Sequence, residues 1–285
     1  MKKNIDLYKK ETGKFLAFLE EEIKKTGMEE EFFASSRRIL EKISASVTSK
    51  WLSGRKYCRT FFLQEAFGSF YPSSYTSVSL FLDALVNISD DLCDEPLEKE
   101  EISLYMAECL KLLSLLNSSS QASLLQPGLG VYFSKLLSLV MAENFYREKI
   151  SQSGGYKQIV EDSSKLLLIR AQDIDVFTEI ALLDLDSQKD LDLIKKIARI
   201  FRAINIFKKD IKDLDYDLSR NIKTIVTILR DKDIDFKNYT QDLLEILETK
   251  VKELSVPQNK DLESPFQNFQ IMIEREKEEI LEMLD

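Results

Sequence analysis

Asp83, Asn87, Asp90 and Asp94 recur at i, i+4, i+7 and i+11. At about 100° per residue this spacing places all four on one narrow face of a helix. Leu80, Phe81, Leu82, Ala84, Leu85, Val86 and Ile88 cover the other directions, which describes a buried helix whose polar stripe faces something other than bulk water. A cavity is the expected neighbour. A second ladder, Asp210, Asp213 and Asp217, runs along a later helical stretch, about 90° from an apolar stripe of Phe207, Ile211, Leu214 and Leu218. Lys208, Lys212 and Asp215 fall on the opposite flank, and only Lys209 lies close to the three carboxylates.

Gathering carboxylates in this way costs stability. Two of them about 6 Å apart repel by a few kcal/mol at an effective dielectric near 20. Pro96 should end the first helix, leaving Asp90, Asp91 and Asp94 in the last turns, where the helix dipole disfavours negative charge. A divalent cation reverses both penalties. Magnesium prefers a few carboxylates together with water and phosphate oxygens, so two facing ladders suit a magnesium–diphosphate complex better than a closed calcium cage. Taken singly, each ladder reads as a solvated helix end or a salt-bridged surface. It is the pair that points to a metal.

Upstream, the segment from Ser53 to Phe62 places Arg55, Lys56 and Arg59 around Gly54 at a helix start, a combination that favours phosphate and also describes an ordinary basic helix cap. The chain has no histidine. That excludes Ser-His-Asp and Cys-His nucleophiles, histidine-ligated zinc and imidazole acid–base catalysis. A net charge of −9 argues against nucleic acid as a partner. Three cysteines, odd in number and without metal-type spacing, fit a reducing compartment, and the cytoplasm is the expected location. Met1 to Lys25 is amphipathic without the apolar centre of a signal peptide, and no run approaches the ~18 apolar residues of a membrane span.

The elements that must position these residues are helices. With 8 Gly and 5 Pro in 285 residues, the chain lacks the punctuation of a sheet protein. Apolar periodicity predicts amphipathic helices over 4–26, 29–51, 56–70, 74–95, 98–117, 130–150, 156–184, 188–219, 221–231, 236–254 and 264–284. No flexible linker divides them, so the expected fold is one all-α domain over 1–285, a helical bundle around a central cavity.

From Gly54 to Thr224 the order of these features resembles the trans-isoprenyl diphosphate synthase family, the all-helical class I prenyl-diphosphate enzymes. Gly54, Arg55, Lys56 and Arg59 are similar to its glycine-lysine-arginine segment and following arginine, and Asp90, Asp91 and Asp94 match its first DDxxD motif. Lys209, Asp210 and Asp213 stand where the second DDxxD falls, with lysine in place of the first aspartate, and Ile222-Lys223-Thr224 resembles the Gly-Lys-x-Thr segment beyond it. The arginine pair that follows the family's first motif is missing.

The resemblance implies Mg2+-dependent ionisation of an allylic prenyl diphosphate and transfer of the prenyl group to an isoprenoid acceptor. Asp90, Asp91, Asp94, Asp210, Asp213 and Asp217 would be the metal ligands, with Asp90, Asp94, Asp210 and Asp213 central to catalysis. Arg55, Lys56, Arg59, Lys209, Lys223 and either Lys165 or Arg170 would meet the diphosphate. Leu85 and Val86, about one turn before Asp90, would line the hydrocarbon channel. The terpene cyclases and the squalene/phytoene synthases share the fold and similar acidic motifs, so cyclisation or head-to-head coupling is an alternative. A non-catalytic prenyl-synthase-like partner subunit is another. The resemblance also implies pairing, as a homodimer or with a second subunit.

Overall fold

In a computed structural model the described residues are 2–25, 30–53, 56–94, 99–118, 141–183 and 187–284, with some side chains inside the first five helices not described. These residues are all-helical, as the periodicity predicts. The helices are α1 (Lys2–Lys25), α2 (Glu30–Leu52), α3 (Arg59–Phe67), α4 (Thr76–Asp94), α5 (Lys99–Ser118), α6 (141–152), α7 (Tyr156–Arg170), α8 (Asp175–Ala181), α9 (Gln188–Lys212), α10 (Leu214–Ser219), α11 (Ile225–Asp231), α12 (Phe236–Lys252) and α13 (Glu263–Glu282). The chain divides into two compact units, Met1–Gln64 with Ser69–Gln126, and Glu65–Gly68 with Pro127–Asp285. Among the described residues, no helix is long and apolar enough to cross a membrane.

In the first unit α4 packs on α5 and α1, and α2 packs on α5. Tyr8 is fully buried at the centre, its ring 5.4 Å from that of Trp51 and 5.8 Å from that of Phe81. Leu80, Phe81, Leu82, Ala84, Leu85, Val86 and Ile88 are all buried, so α4 is enclosed on most sides as its sequence requires. Below Tyr8 lies a buried polar cluster: Ser44 Oγ donates to Glu108 at 2.9 Å, and the Lys111 ammonium meets the same carboxylate at 2.5 Å. Burial pulls the Lys111 ammonium below the usual lysine range, while Glu108 opposes that shift.

The second unit is built around α9, which packs against α13, α7, α8 and α12. Ile194, Ile197, Ala198, Phe201, Ala203, Ile204 and Phe207 are fully buried along it. The Phe269 ring of α13 lies 6.0 Å from Phe201, and the Tyr239 ring of α12 lies 6.3 Å from Phe207. The rest of α9 is bound by ion pairs. Lys195 meets Glu179, Arg199 meets Asp175 at 2.6 Å, Arg202 meets Asp173 at 2.8 Å, and Lys208 meets Glu276 at 2.5 Å. Each of these cations keeps a partner, as burial of charge demands.

Two expected helices are interrupted. The 156–184 stretch breaks at a 3-10 turn, Ala171–Ile174, whose Asp173 is drawn to Arg202, and the 188–219 stretch is interrupted at Asp213, which ends α9 and begins α10. Neither break carries a glycine or proline, so neither has a local sequence signal.

Candidate functional site: carboxylates held by internal cations

Asp210 leaves the last turn of α9, Asp213 is the junction residue, and Asp217 is on α10. The backbone N–H of Asp213 donates to Lys209 O at 2.9 Å and that of Asp217 to Asp213 O at 2.8 Å, so helical rotation continues through the junction and keeps the three carboxylates on one side. Burial here departs in part from the expectation from periodicity. Asp210 and Asp217 are 4 % and 7 % exposed, whereas of the predicted core stripe Phe207 is fully buried but Ile211, Leu214 and Leu218 are only half-buried. Lys208, placed by the sequence on the outer flank, is also buried, held by Glu276 and Glu279 of α13. The charged partners offered by Arg170 to Asp210 and by α13 to Lys208 accompany this burial.

The carboxylates are not segregated from cations. The Arg170 guanidinium, at the end of α7, reaches Asp210 at 2.7 Å through Nη1 and Glu143 of α6 at 3.0 Å through Nε. Lys209 pairs with Asp213 at 2.8 Å, one turn along the same helix. Asp217 accepts no side-chain hydrogen bond among the described residues. Its carboxyl is pushed up from 3.8 to about 6, first by burial and then by Asp210 and Asp213, with Lys209 and Arg170 opposing. Burial is the larger cause, and the repulsion that the ladder's spacing forecast adds to it.

Of the two mid-chain cations, Arg170 meets the cluster. Lys165 is half-exposed and extends toward Asp162, at 3.5 Å. Lys223 is exposed on the turn between α10 and α11. That turn is set by Asn221, whose φ of 55° lets Ile222 N–H donate to Asp217 O at 2.8 Å and Asn221 N–H to Leu218 O at 3.2 Å, a Schellman closure of α10. Thr224 then caps α11 in a reciprocal box with Thr227.

In the first unit the upstream half of the first ladder has a structural role. Asp83 accepts hydrogen bonds from Arg59 N at 3.0 Å, Thr60 N at 2.7 Å and Thr60 Oγ1 at 2.6 Å, and its Oδ1 is 3.1 Å from Arg59 Nη1. It caps the N-terminus of α3, so at this turn the stripe meets a helix start. Arg59 Nη1 continues to Asn87 Oδ1 at 3.4 Å, so the arginine runs along the stripe toward the turn that carries Asp90. The Cys58 thiol lies 3.3 Å from Asp83, and burial with that carboxylate pushes it well up, leaving it a protonated, inert thiol. Lys56 is half-buried, with its backbone N–H donating to Lys50 O.

Arg55 lies outside the described residues, as do the side chains of Asp90, Asp91 and Asp94 at the end of α4. Leu85 and Val86 are buried within the first unit. A groove of about 420 Å³ lies between α7 and α12, lined by Tyr156, Val160, Asp242 and Ile246 among others, and none of the candidate residues reaches it.

The cluster offers oxygen donors of the type magnesium takes. As they stand, however, no three acidic, cysteine or histidine side chains among the described residues gather closely enough to hold a metal ion. Arg170 and Lys209 take the positions of counter-charge instead. Fold and cluster therefore define an all-helical protein with a cation-compensated carboxylate ladder. Comparison with protein-family models, with curated proteins and with solved structures found no match.

Proposed function

We propose that the chain is a divergent class I prenyl-diphosphate enzyme, which ionises an allylic prenyl diphosphate in a Mg2+-dependent reaction and transfers the prenyl group to an isoprenoid acceptor. The observation that carries this reading is the Asp210–Asp213–Asp217 ladder, with Asp210 and Asp217 buried and Arg170 bound to Asp210, in an all-helical chain whose α4 ends on Asp90, Asp91 and Asp94. A partly buried acidic stripe with a resident guanidinium is costly for a plain scaffold, and it suits a site that meets a polyanion.

In this reading Arg170, Lys209 and Lys223 are the cations of the second unit that meet negative charge developing on the leaving diphosphate as its C–O bond breaks. Arg170 is favoured over Lys165, because Lys165 turns to Asp162. Arg59, anchored by Asp83 and Asn87, plays the same part beside α4. The allylic cation needs walls that exclude water, and Leu85 and Val86 are the candidates on α4.

A second reading draws on one contact. The bridge between Lys209 and Asp213 ties up a carboxylate of the ladder, which favours a non-catalytic subunit that acts by pairing with an active synthase. One assay separates these readings. The chain is given Mg2+ and allylic diphosphates of several lengths, with and without isopentenyl diphosphate, and diphosphate release and prenyl products are followed. Elongation that requires isopentenyl diphosphate is the expected outcome. Release without it identifies a cyclase or head-to-head enzyme. Silence alone, with stimulation of an added synthase, identifies the subunit.

A further inference from the structure

The groove between α7 and α12, about 420 Å³, lies wholly within the second unit and takes no part in the proposed reaction. Its size falls in the range of small-molecule sites, roughly 300–1,000 Å³. Val160 and Ile246 give it an apolar floor, with Val160 buried. Tyr156, the first residue of α7, bridges the two helices: its phenol donates to Asp242 of α12 at 2.7 Å, while its side chain stays 41 % exposed. Burial, and then the Asp242 carboxylate, push that phenol up to about 12, so it remains a donor and the ring is held in place at neutral pH. The walls are unevenly charged. Glu161, Asp242, Glu245 and Glu253 stand against Lys157 and Lys250, four carboxylates to two ammoniums. None of the six belongs to an ion pair among the described residues.

Asp242, Glu245, Ile246, Thr249 and Glu253 fall within about 100° on one side of α12, and the helix rises roughly 16 Å from the first to the last. The groove is therefore a long apolar strip with an excess of negative charge spread along it and an exposed aromatic ring at its side. That charge balance disfavours an anion. It also differs from a metal centre, because no three acidic side chains among the described residues gather closely enough to hold an ion. What complements it is an aliphatic chain with cationic groups spaced along its length. We infer that the groove is a binding site for a linear aliphatic polyamine. One ammonium lies against the Tyr156 ring beside Asp242, the methylenes cover Val160 and Ile246, and a second ammonium meets the row of Glu245 and Glu253. The inference is independent of the enzymatic reading, since none of the residues assigned to that reaction lines the groove.

The test titrates the full chain with spermidine in a calorimeter, without Mg2+ or prenyl diphosphate. One site per chain is expected, and its affinity should fall severalfold as NaCl is raised from about 20 to about 200 mM. Asp242→Asn combined with Glu245→Gln should weaken binding about tenfold, because two exposed carboxylates leave the row. Glu263→Gln, which removes the same kind of charge from an exposed position at the start of α13, should leave it unchanged. Tyr156→Ala frees Asp242 but takes away the ring, and a weakening of about threefold is expected. Circular dichroism checks the fold of each variant. If the double variant does not fold, Glu245→Gln alone replaces it, with about threefold weakening expected. No saturable binding, unchanged affinity in the carboxylate variant, equal weakening by Glu263→Gln, or an unchanged or tighter affinity in Tyr156→Ala would overturn the inference. Binding of a lysine hexapeptide with none of spermidine would overturn it too, and would make the groove a docking surface for a basic peptide.

Discussion

Asp217 carries the electrostatic cost of the ladder in the absence of metal. Its carboxyl ionises near 3.8 when freely solvated and near 6 in the fold, so both states are protonated below about pH 4 and no penalty exists there. As pH rises through that window the unfolded chain gives up its proton first, and the folded state loses stability until its own carboxyl ionises. Asp217→Asn should therefore raise the melting temperature at about pH 7.5 in a chelator, with the gain vanishing near pH 4. Thermal scans at the two values decide it; a gain independent of pH would show that ionisation of the buried Asp217 carboxyl is not the cause. The acidic spacing was legible in the sequence, since i, i+3, i+7 places the three groups together whatever else the helix does. The guanidinium that binds them was legible only as one of two candidates. Arg170 lies 40 positions before Asp210, and no local rule joins residues at that distance.

At the scale of elements, the junction between α3 and α4 depends on one carboxylate. Asp83 is fully buried, takes two backbone N–H donors at the start of α3 and faces the buried Arg59 guanidinium. Asp83→Ala takes the carboxylate from that charge and from those backbone donors, leaving the guanidinium its contact with Asn87, and should cost ~3 kcal/mol by urea denaturation. A loss under 1 kcal/mol would mean that the contact is incidental. The sequence placed Asp83 correctly on its stripe but could not reveal that Arg59 and Thr60, more than twenty residues earlier, would bind it. The closure of α10 is a smaller device of the same kind. Asn221→Ala puts an ordinary side chain at φ 55° and should cost about 1 kcal/mol, whereas Asn221→Gly should be neutral or slightly stabilising. Equal effects from the two substitutions would reject strain as the reason. Most helix ends were legible from breakers and caps. The breaks at Ala171–Ile174 and at Asp213 were not, because tertiary ion pairs and backbone bonding set them rather than glycine or proline.

For the whole molecule, composition was sufficient to predict helices throughout, and the absence of a Gly- or Pro-rich linker led to the expectation of one domain. The chain nevertheless separates into two compact units, and the division passes through α3: Arg59–Gln64 belong to the first unit and Glu65–Phe67 to the second. A nine-residue helix is too short to persist once one end is released. Loss of the first unit should therefore unravel residues that the second unit uses, Phe67 among them, whose ring meets Phe269 at 6.3 Å. The single tryptophan makes this measurable. Trp51 is buried in the first unit, so its fluorescence reports that unit while far-ultraviolet dichroism reports helices in both. The two urea transitions should coincide in the parent chain and shift together in Asp83→Ala, the behaviour of one cooperative domain. A fluorescence transition that moves to lower urea while the dichroic one splits would establish two domains and overturn the single-domain expectation. In that event the α3 segment would be a tether with no cooperative role.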